Sequence, residues 1–361
     1  MPTIKDIANE LNVSVGTVSK GLNGGADISD DLRKKILDTA VRMGYEKKKT
    51  QNSPSLKFAV FIENIAYIYP EDFGYNIILG FKQASYYQNW QIDIITLTPD
   101  FQNLHDYDTL MLERGYTGAF ILGLSLADTW MNDFAKTNFP TVLLDNFVPG
   151  NPSVGYIATD SFEGIDMAVK HLAKLGHEKI AFLDGSSGSF VSDQRMLAYL
   201  NALRRAGLPI NPSLAVYGYF VKEAAKYHVP GFIDAGATAI ICGNDLIAEG
   251  VLDCIKDQGL RIPDDISVVG FDDLLTSEKL DPTLTTVKQD TIMIGKSAYY
   301  ILHAMMNKIA LSKNLLRPSL IVRKSTAIAK PRLSKPHAED PDSVDKANPK
   351  LYDEFIKSAM N

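Results

Sequence analysis

Apolar positions recur at helical spacing through the first 45 residues and at strand spacing beyond them. Ile4, Ile7, Ala8 and Leu11 share one face of a helix predicted over 4–11, and Thr3 stands where its hydroxyl can cap the first amides. Ser14 caps a second predicted helix over 15–22, with Val15, Val18 and Leu22 inward; little more than Asn12 and Val13 separates the two. Ser29 opens a third, which runs to about Met43 with Leu32, Ile36, Leu37 and Ala40 inward and stops at Gly44. Residues 46–55 (EKKKTQNSPS) are polar and read as a linker.

From Leu56 onward, short β-branched and aromatic runs alternate with helical stretches. Strands are predicted at 56–63, 91–97, 117–122, 140–145, 179–184, 237–242 and 266–272. Helices are predicted near 76–88, 104–114, 126–136, 161–175, 192–206, 245–258 and 290–308. Strands each separated by a helix imply parallel sheets covered on both faces. Seven such units exceed one sheet of ordinary size, roughly 5–6 strands. Two doubly wound lobes are therefore expected, with the break near Asp145–Tyr156, where Pro149, Gly150 and Pro152 cluster. The tail 328–361 is Pro-rich and reads as disordered, save for a short helix at 350–360 where Leu351, Phe355 and Ala359 recur every four residues.

Composition narrows the class. Of 361 residues, 45% are hydrophobic and 22% charged, as in globular proteins. No apolar run approaches the roughly 20 residues of a membrane span, and no secretory signal opens the chain, so a cytoplasmic protein is expected. Cys242 and Cys254 then read as free buried thiols. The net charge of −6 divides unevenly: residues 1–52 hold nine Lys/Arg against seven Asp/Glu, and the acidic excess lies beyond. A slightly basic head on an acidic body suits a nucleic-acid-binding head. The six histidines lack metal-ligand spacing, and no nucleophile–base set, P-loop or dinucleotide glycine motif is present. Neither an enzyme nor a cofactor is expected.

Two short helices joined by a tight turn form a candidate helix-turn-helix, and VSVGTVSKGLNG places Ser14, Gly16, Thr17, Ser19 and Lys20 opposite Val18 and Leu22. A three-helix bundle with a solvated polar face would show the same periodicity. At these residues the chain resembles the LacI/GalR family of bacterial transcription regulators. TIKDIANELNVSVGTVSKGLNG and ISDDLRKKILDTAVRMGY carry the resemblance in the head. IATDSFEGIDMAVKHLAKLGHEKIAFLDG, SDQRMLAYLNALRRAGL, AIICGNDLIAEGVLDCIKDQGLRIPDDISVVGFDD, LTTVKQD and LIVRKST carry it through the body, over about residues 2–327.

The resemblance implies a helix-turn-helix head (1–45), a linker (46–55) and a periplasmic-binding-protein-like core (56–327) of two α/β lobes joined by three crossovers, with an effector between them. LTTVKQD would be a crossover and LIVRKST the last strand of the second lobe. Family DNA contacts fall on Thr3, Ser14, Val15, Gly16, Thr17, Ser19, Lys20 and Asn23. Val15 and Gly16 offer no base-bonding side chain, so readout there would be apolar or by close backbone approach; Lys20 suits guanine or a phosphate. The family's hinge helix has no counterpart in MGYEKKKTQNSPSLK, so Lys47, Lys48 and Lys49 are expected to attract phosphate with little kinking.

Family effector positions fall on Asp145, Arg195, Asn244 and Asp272, with Phe73, Tyr219 and Phe220 as apolar faces for a sugar ring and Asp160 and Asp273 as supporting groups. Asp145 and Asp272 could instead cap turns, and Tyr219 and Phe220 could be core. Arg195 sits near a helix start, where a cation is disfavoured by the macrodipole, which favours a ligand role. The expected protein is a repressor of carbohydrate genes that binds a near-palindromic operator as a homodimer, with a tetramer open. A purine, a phosphosugar or a protein could take the sugar's place. A solute-binding protein for transport is the rival from another class, and it would have no use for residues 1–45.

Overall fold

The computed structural model describes residues 2–25, 27–45, 56–88 and 90–330. The linker 46–55, with Lys47–Lys49, and the helix expected at 350–360 lie outside the described residues.

The head consists of α1 (Ile4–Leu11), α2 (Val15–Leu22) and α3 (Asp30–Arg42). Each start is set by a side-chain cap. Thr3 forms a reciprocal capping box with Asp6, Ser14 accepts from Thr17 N, and Ser29 accepts from Leu32 N. Ile7, Val18, Ile36 and Ala40 are wholly buried between the three helices. Tyr45 and Leu112 close the same cluster, and Arg33 of α3 pairs with Glu113 at 3.0 Å.

The body continues as β1 (Lys57–Ile62), α4 (Phe73–Ser85), β2 (Gln91–Thr96), α5 (Pro99–Leu104), α6 (Tyr107–Arg114), β3 (Gly118–Leu122), α7 (Trp130–Phe134), β4 (Thr141–Leu144) and β5 (Val154–Thr159). Next come α8 (Ser161–Lys174), β6 (Ile180–Asp184), α9 (Phe190–Ala206), β7 (Ala215–Tyr217), α10 (Ala225–Asp234), β8 (Ala239–Cys242), α11 (Asp245–Asp257), β9 (Ser267–Asp272) and β10 (Thr285–Lys288). Among the described residues, α12 (Thr291–Met306), β11 (Lys313–Leu316) and β12 (Ser319–Ile321) follow.

The described residues fall into two compact units, drawn from Met1–Ala66, Asn76–Ala158 and Ile292–Asn314, and from Tyr67–Tyr75, Thr159–Thr291 and Leu315–Asn361. The first sheet has strand order β11-β5-β4-β3-β1-β2, the second β12-β10-β9-β8-β6-β7. Neighbours from β5 to β2 and from β10 to β7 pair in parallel; β12 is antiparallel to β10. In each sheet the first strand has its successors on opposite sides, β1 between β2 and β3, β6 between β7 and β8. That reversal of winding opens a crevice at the strands' carboxyl ends, where α/β sheets take ligands.

Two expectations are corrected. Asp145–Tyr156 is not the break between sheets: β4 and β5 pair in parallel across it, and the chain leaves the first unit after Ala158. Pro149 and Gly150 only turn the chain between neighbouring strands. LTTVKQD is not itself a crossover, because Thr285–Lys288 pairs with β9 as β10. The return to the first unit begins at α12. There α12 crosses α4 at two glycines: a Cβ on Gly295 would fall 1.9 Å from Ile77 O, and one on Gly80 2.1 Å from Ile292 O.

Candidate functional site

In the head, Ser14, Val15, Gly16, Lys20 and Asn23 are exposed, and Thr3, Thr17 and Ser19 are half-buried. Most of the polar ones are partly engaged by the fold. Thr3 and Ser14 cap their helices, Ser14 Oγ and Thr17 Oγ1 share a hydrogen bond of 2.8 Å, and Asn23 Nδ2 donates to Ser19 O at 2.8 Å. Lys20 is ion-paired with Asp27, a partner seven residues away that periodicity does not reveal. The face stays wet and small-featured. Val15, expected inward beside Val18 and Leu22, is instead 45% exposed, because it opens α2 off the packed face, and it forms the apolar prominence that a thymine-methyl contact requires.

In the second unit, Arg195, Asn244 and Asp272 come together at the carboxyl ends of β6, β8 and β9. Arg195 lies in the second turn of α9, not its first, and is 3% exposed. Its Nη1 donates to Gly243 O at 2.6 Å, beside Asn244, and its guanidinium lies 4.0 Å over the ring of Phe271, beside Asp272. Asn244 caps α11, its Oδ1 accepting from Ile247 N at 2.8 Å. Its Nδ2 therefore carries any ligand role as a donor. Asp272 Oδ1 accepts from Gln289 Nε2 at 2.7 Å. Its φ of 121°, and 59° at Asp273, place two acids in backbone conformations that L residues rarely adopt. Such strain collects at ligand-binding turns.

Asp184, which sequence reasoning passed over, is wholly buried at the end of β6. Burial pushes its carboxyl up to about 8, against the pull of Arg195 and the Gly185 amide; Asp193 adds a small push the same way. Oδ1 accepts from Gly185 N at 2.8 Å, while Oδ2 has no partner. An unmet buried polar atom costs about 1–3 kcal/mol. The available signal was position: like Asp145 and Asp272, Asp184 is an acid at a strand's carboxyl end.

The other candidates divide. Asp145, in the first unit, follows β4 with φ 58°. Its neighbour Asn146 ties Leu124 O with a 2.8 Å bond. At that sheet's own reversal, Glu63 is 3% exposed and accepts from Gln102 Nε2 at 2.5 Å. Burial, with Asp128 adjacent, raises it to about 7. Phe73, half-buried, opens α4. Tyr219 is 70% exposed, and Phe220 packs on Gly185. The supporting acids are structural: Asp160 caps α8, and Asp273 pairs with Arg323 at 2.7 Å. Cys242 and Cys254 are free and buried. His177 is buried between Thr238 and the Ala327 carbonyl. Among the described residues no helix is long and apolar enough to cross a membrane, and no cluster has a metal-binding set.

Comparison with known proteins agrees with both halves. The pattern of bacterial regulatory proteins of the lacI family matches residues 3–47, and that of a periplasmic binding protein-like domain matches 169–326. The chain is 31% identical to the probable HTH-type transcriptional repressor ExuR of Bacillus subtilis (strain 168), over 80% of this chain and 87% of that one. A solved transcriptional regulator CelR–cellobiose complex superposes with a TM-score of 0.69 at 25% identity, covering 90% of this chain and 100% of that one. The lac repressor dimer bound to operator and the anti-inducer ONPF gives 0.65 at 25% identity, covering 90% and 99%. A capped helix-turn-helix ahead of two parallel-sheet units, together with these likenesses, identifies the chain as a DNA-binding transcriptional regulator that belongs to the LacI family.

Proposed function

We propose that the chain represses transcription as a homodimer on a near-palindromic operator and that a sugar-like effector at Arg195, Asn244 and Asp272 sets its affinity for DNA. The observation that carries the reading is the guanidinium of Arg195, fixed by Gly243 O and Phe271 at the reversal of the second sheet. A fixed donor fork beside a carboxylate and an amide donor rejects ligands that lack the matching hydroxyl. Phe73, Tyr219 and Asp145 are further effector positions in this reading. Thr3, Ser14, Val15, Gly16, Thr17, Ser19, Lys20 and Asn23 face DNA, and two heads read two half-sites. The reading gives the chain no catalytic step and no cofactor. The likeness to regulators solved with cellobiose and with operator supports it.

Regulation requires the effector to favour one DNA-binding state over the other. A 10²-fold difference corresponds to roughly 2.7 kcal/mol. Duplexes selected from a random library, titrated by fluorescence anisotropy with and without cellobiose, glucose, galactose, glucuronate and hypoxanthine, test the reading. Tight, salt-sensitive binding of selected over random duplex, shifted by a sugar, is expected. No preference among duplexes sinks the DNA reading; a shift with hypoxanthine alone sinks the sugar.

A further inference from the structure

Three buried polar atoms stand without a hydrogen-bond partner at one end of the second sheet: Asp184 Oδ2, Ser192 Oγ and Arg195 Nε. Asp184 and Ser192 are wholly buried, and Arg195 nearly so. Ser192 and Arg195 are three residues apart in α9 and share its face. Asp184 closes β6, next to β8 and the Gly243 carbonyl that Arg195 uses. A carboxyl, a hydroxyl and a guanidinium N–H include both donors and acceptors, yet they do not satisfy one another. The bond to Gly243 O and the stack on Phe271 hold Arg195 in place. Buried polar atoms in folded proteins nearly always have partners. Three unmet ones together mark a place for a partner from outside the chain. The Phe220 ring lies against Gly185, where an added Cβ would fall 2.1 Å from the ring. It belongs to a loop whose Tyr219 is largely exposed. The ring thus packs on the residue that follows Asp184.

We propose that Asp184 and Ser192 form, beside Arg195, a specificity subsite for adjacent hydroxyl groups of a sugar. A sugar hydroxyl can accept hydrogen bonds both from Arg195 Nε–H and from the protonated Asp184 Oδ2 through its two lone pairs, while Ser192 serves its neighbour. The subsite rests on the effector reading above and assigns to it two residues that reading does not use.

The test is calorimetry on the full chain with cellobiose, glucose, galactose and their single-deoxy analogues, using wild type, Asp184→Ala and Ser192→Ala, with melting of each protein alone. Removing an unpaired hydroxyl should leave the melting temperature of ligand-free Ser192→Ala equal to or above wild type, while its sugar affinity falls about tenfold. Asp184→Ala should weaken the sugar by about tenfold to a hundredfold. It should bind the deoxy analogue lacking the contacted hydroxyl as wild type does. A ligand-free Ser192→Ala that melts several degrees lower overturns the subsite, since its hydroxyl is then already satisfied in the ligand-free fold. Sugar affinity unchanged in both variants overturns the subsite and leaves the effector reading standing. If wild type binds no sugar, both fall. Should Asp184→Ala fail to fold, Ser192→Ala decides on the same two readouts.

Discussion

Replacing Asp184 with Asn should abolish a pH dependence of stability that the wild type carries. The Asp184 carboxyl stands at about 8 in the folded chain against an ordinary 3.8, mainly because burial disfavours its charged form. The groups around it are Arg195 and Asp193 on α9 and Tyr217 on β7, whose hydroxyl donates to Asp193 at 2.9 Å. A folded-state value raised above the unfolded one means that the native state holds a proton the unfolded chain releases. Stability from this group is therefore fully present below the unfolded value and is lost as pH rises through about 8. At about 1.4 kcal/mol per unit, the interval from roughly pH 5 to the folded value corresponds to ~4 kcal/mol. Asn keeps the shape and cannot ionise. Urea denaturation of both proteins at about pH 5, 7 and 9 should show the wild type losing ground to Asp184→Asn at each step. Every other titrating group is common to both, so the difference isolates this one. A constant difference across the range would refute the reasoning.

Other outcomes follow from single contacts. Ser14→Ala removes the cap on α2, whose Oγ accepts from Thr17 N at 3.0 Å. It should cost the head about 1 kcal/mol in melting and weaken operator binding. Asp245→Ala strands three buried or half-buried donors, Leu274 N at 2.9 Å and the Ser277 and Thr286 hydroxyls at 2.6 Å each. A loss of about 3 kcal/mol or more in chemical denaturation is expected; a loss under about 1 would contradict it. Asp27→Ala releases Lys20 from its ion pair for phosphate. Duplex affinity should rise, and the slope of log affinity against log salt should steepen by about one.

The head was legible almost to the residue because its signals are local. Thr3, Ser14 and Ser29 are caps in sequence and caps in space. The seven strands read from apolar runs form within a residue or two of their expected ends, since parallel strands buried on both faces need such runs. Elements with weak local signals were missed. β7 has only three residues, α10 carries Pro230 in its interior, and β5 follows the Pro/Gly cluster where the break between lobes was expected. Arg195, Asn244 and Asp272 entered the candidate site by resemblance, whereas Asp184, Ser192 and Glu63 owe their character to burial. Which acid at a strand end is stripped of water, and which caps a helix as Asp160 does, depends on strand order. The pairing of Lys20 with Asp27 and of Asp273 with Arg323 likewise needs the folded backbone.

The crossing of α4 and α12 has a consequence for recombination among homologues. Each helix seats a main-chain carbonyl where the other has no side chain, through Gly80 against Ile292 and Gly295 against Ile77. The two segments lie more than two hundred residues apart in the chain and fit as one joint. A chimera that takes its first lobe from this chain and its returning helix from a donor with a bulkier residue at 295 would spread the joint and release the helix that carries the chain back from the second lobe. Successful crossovers should therefore inherit both helices from one parent.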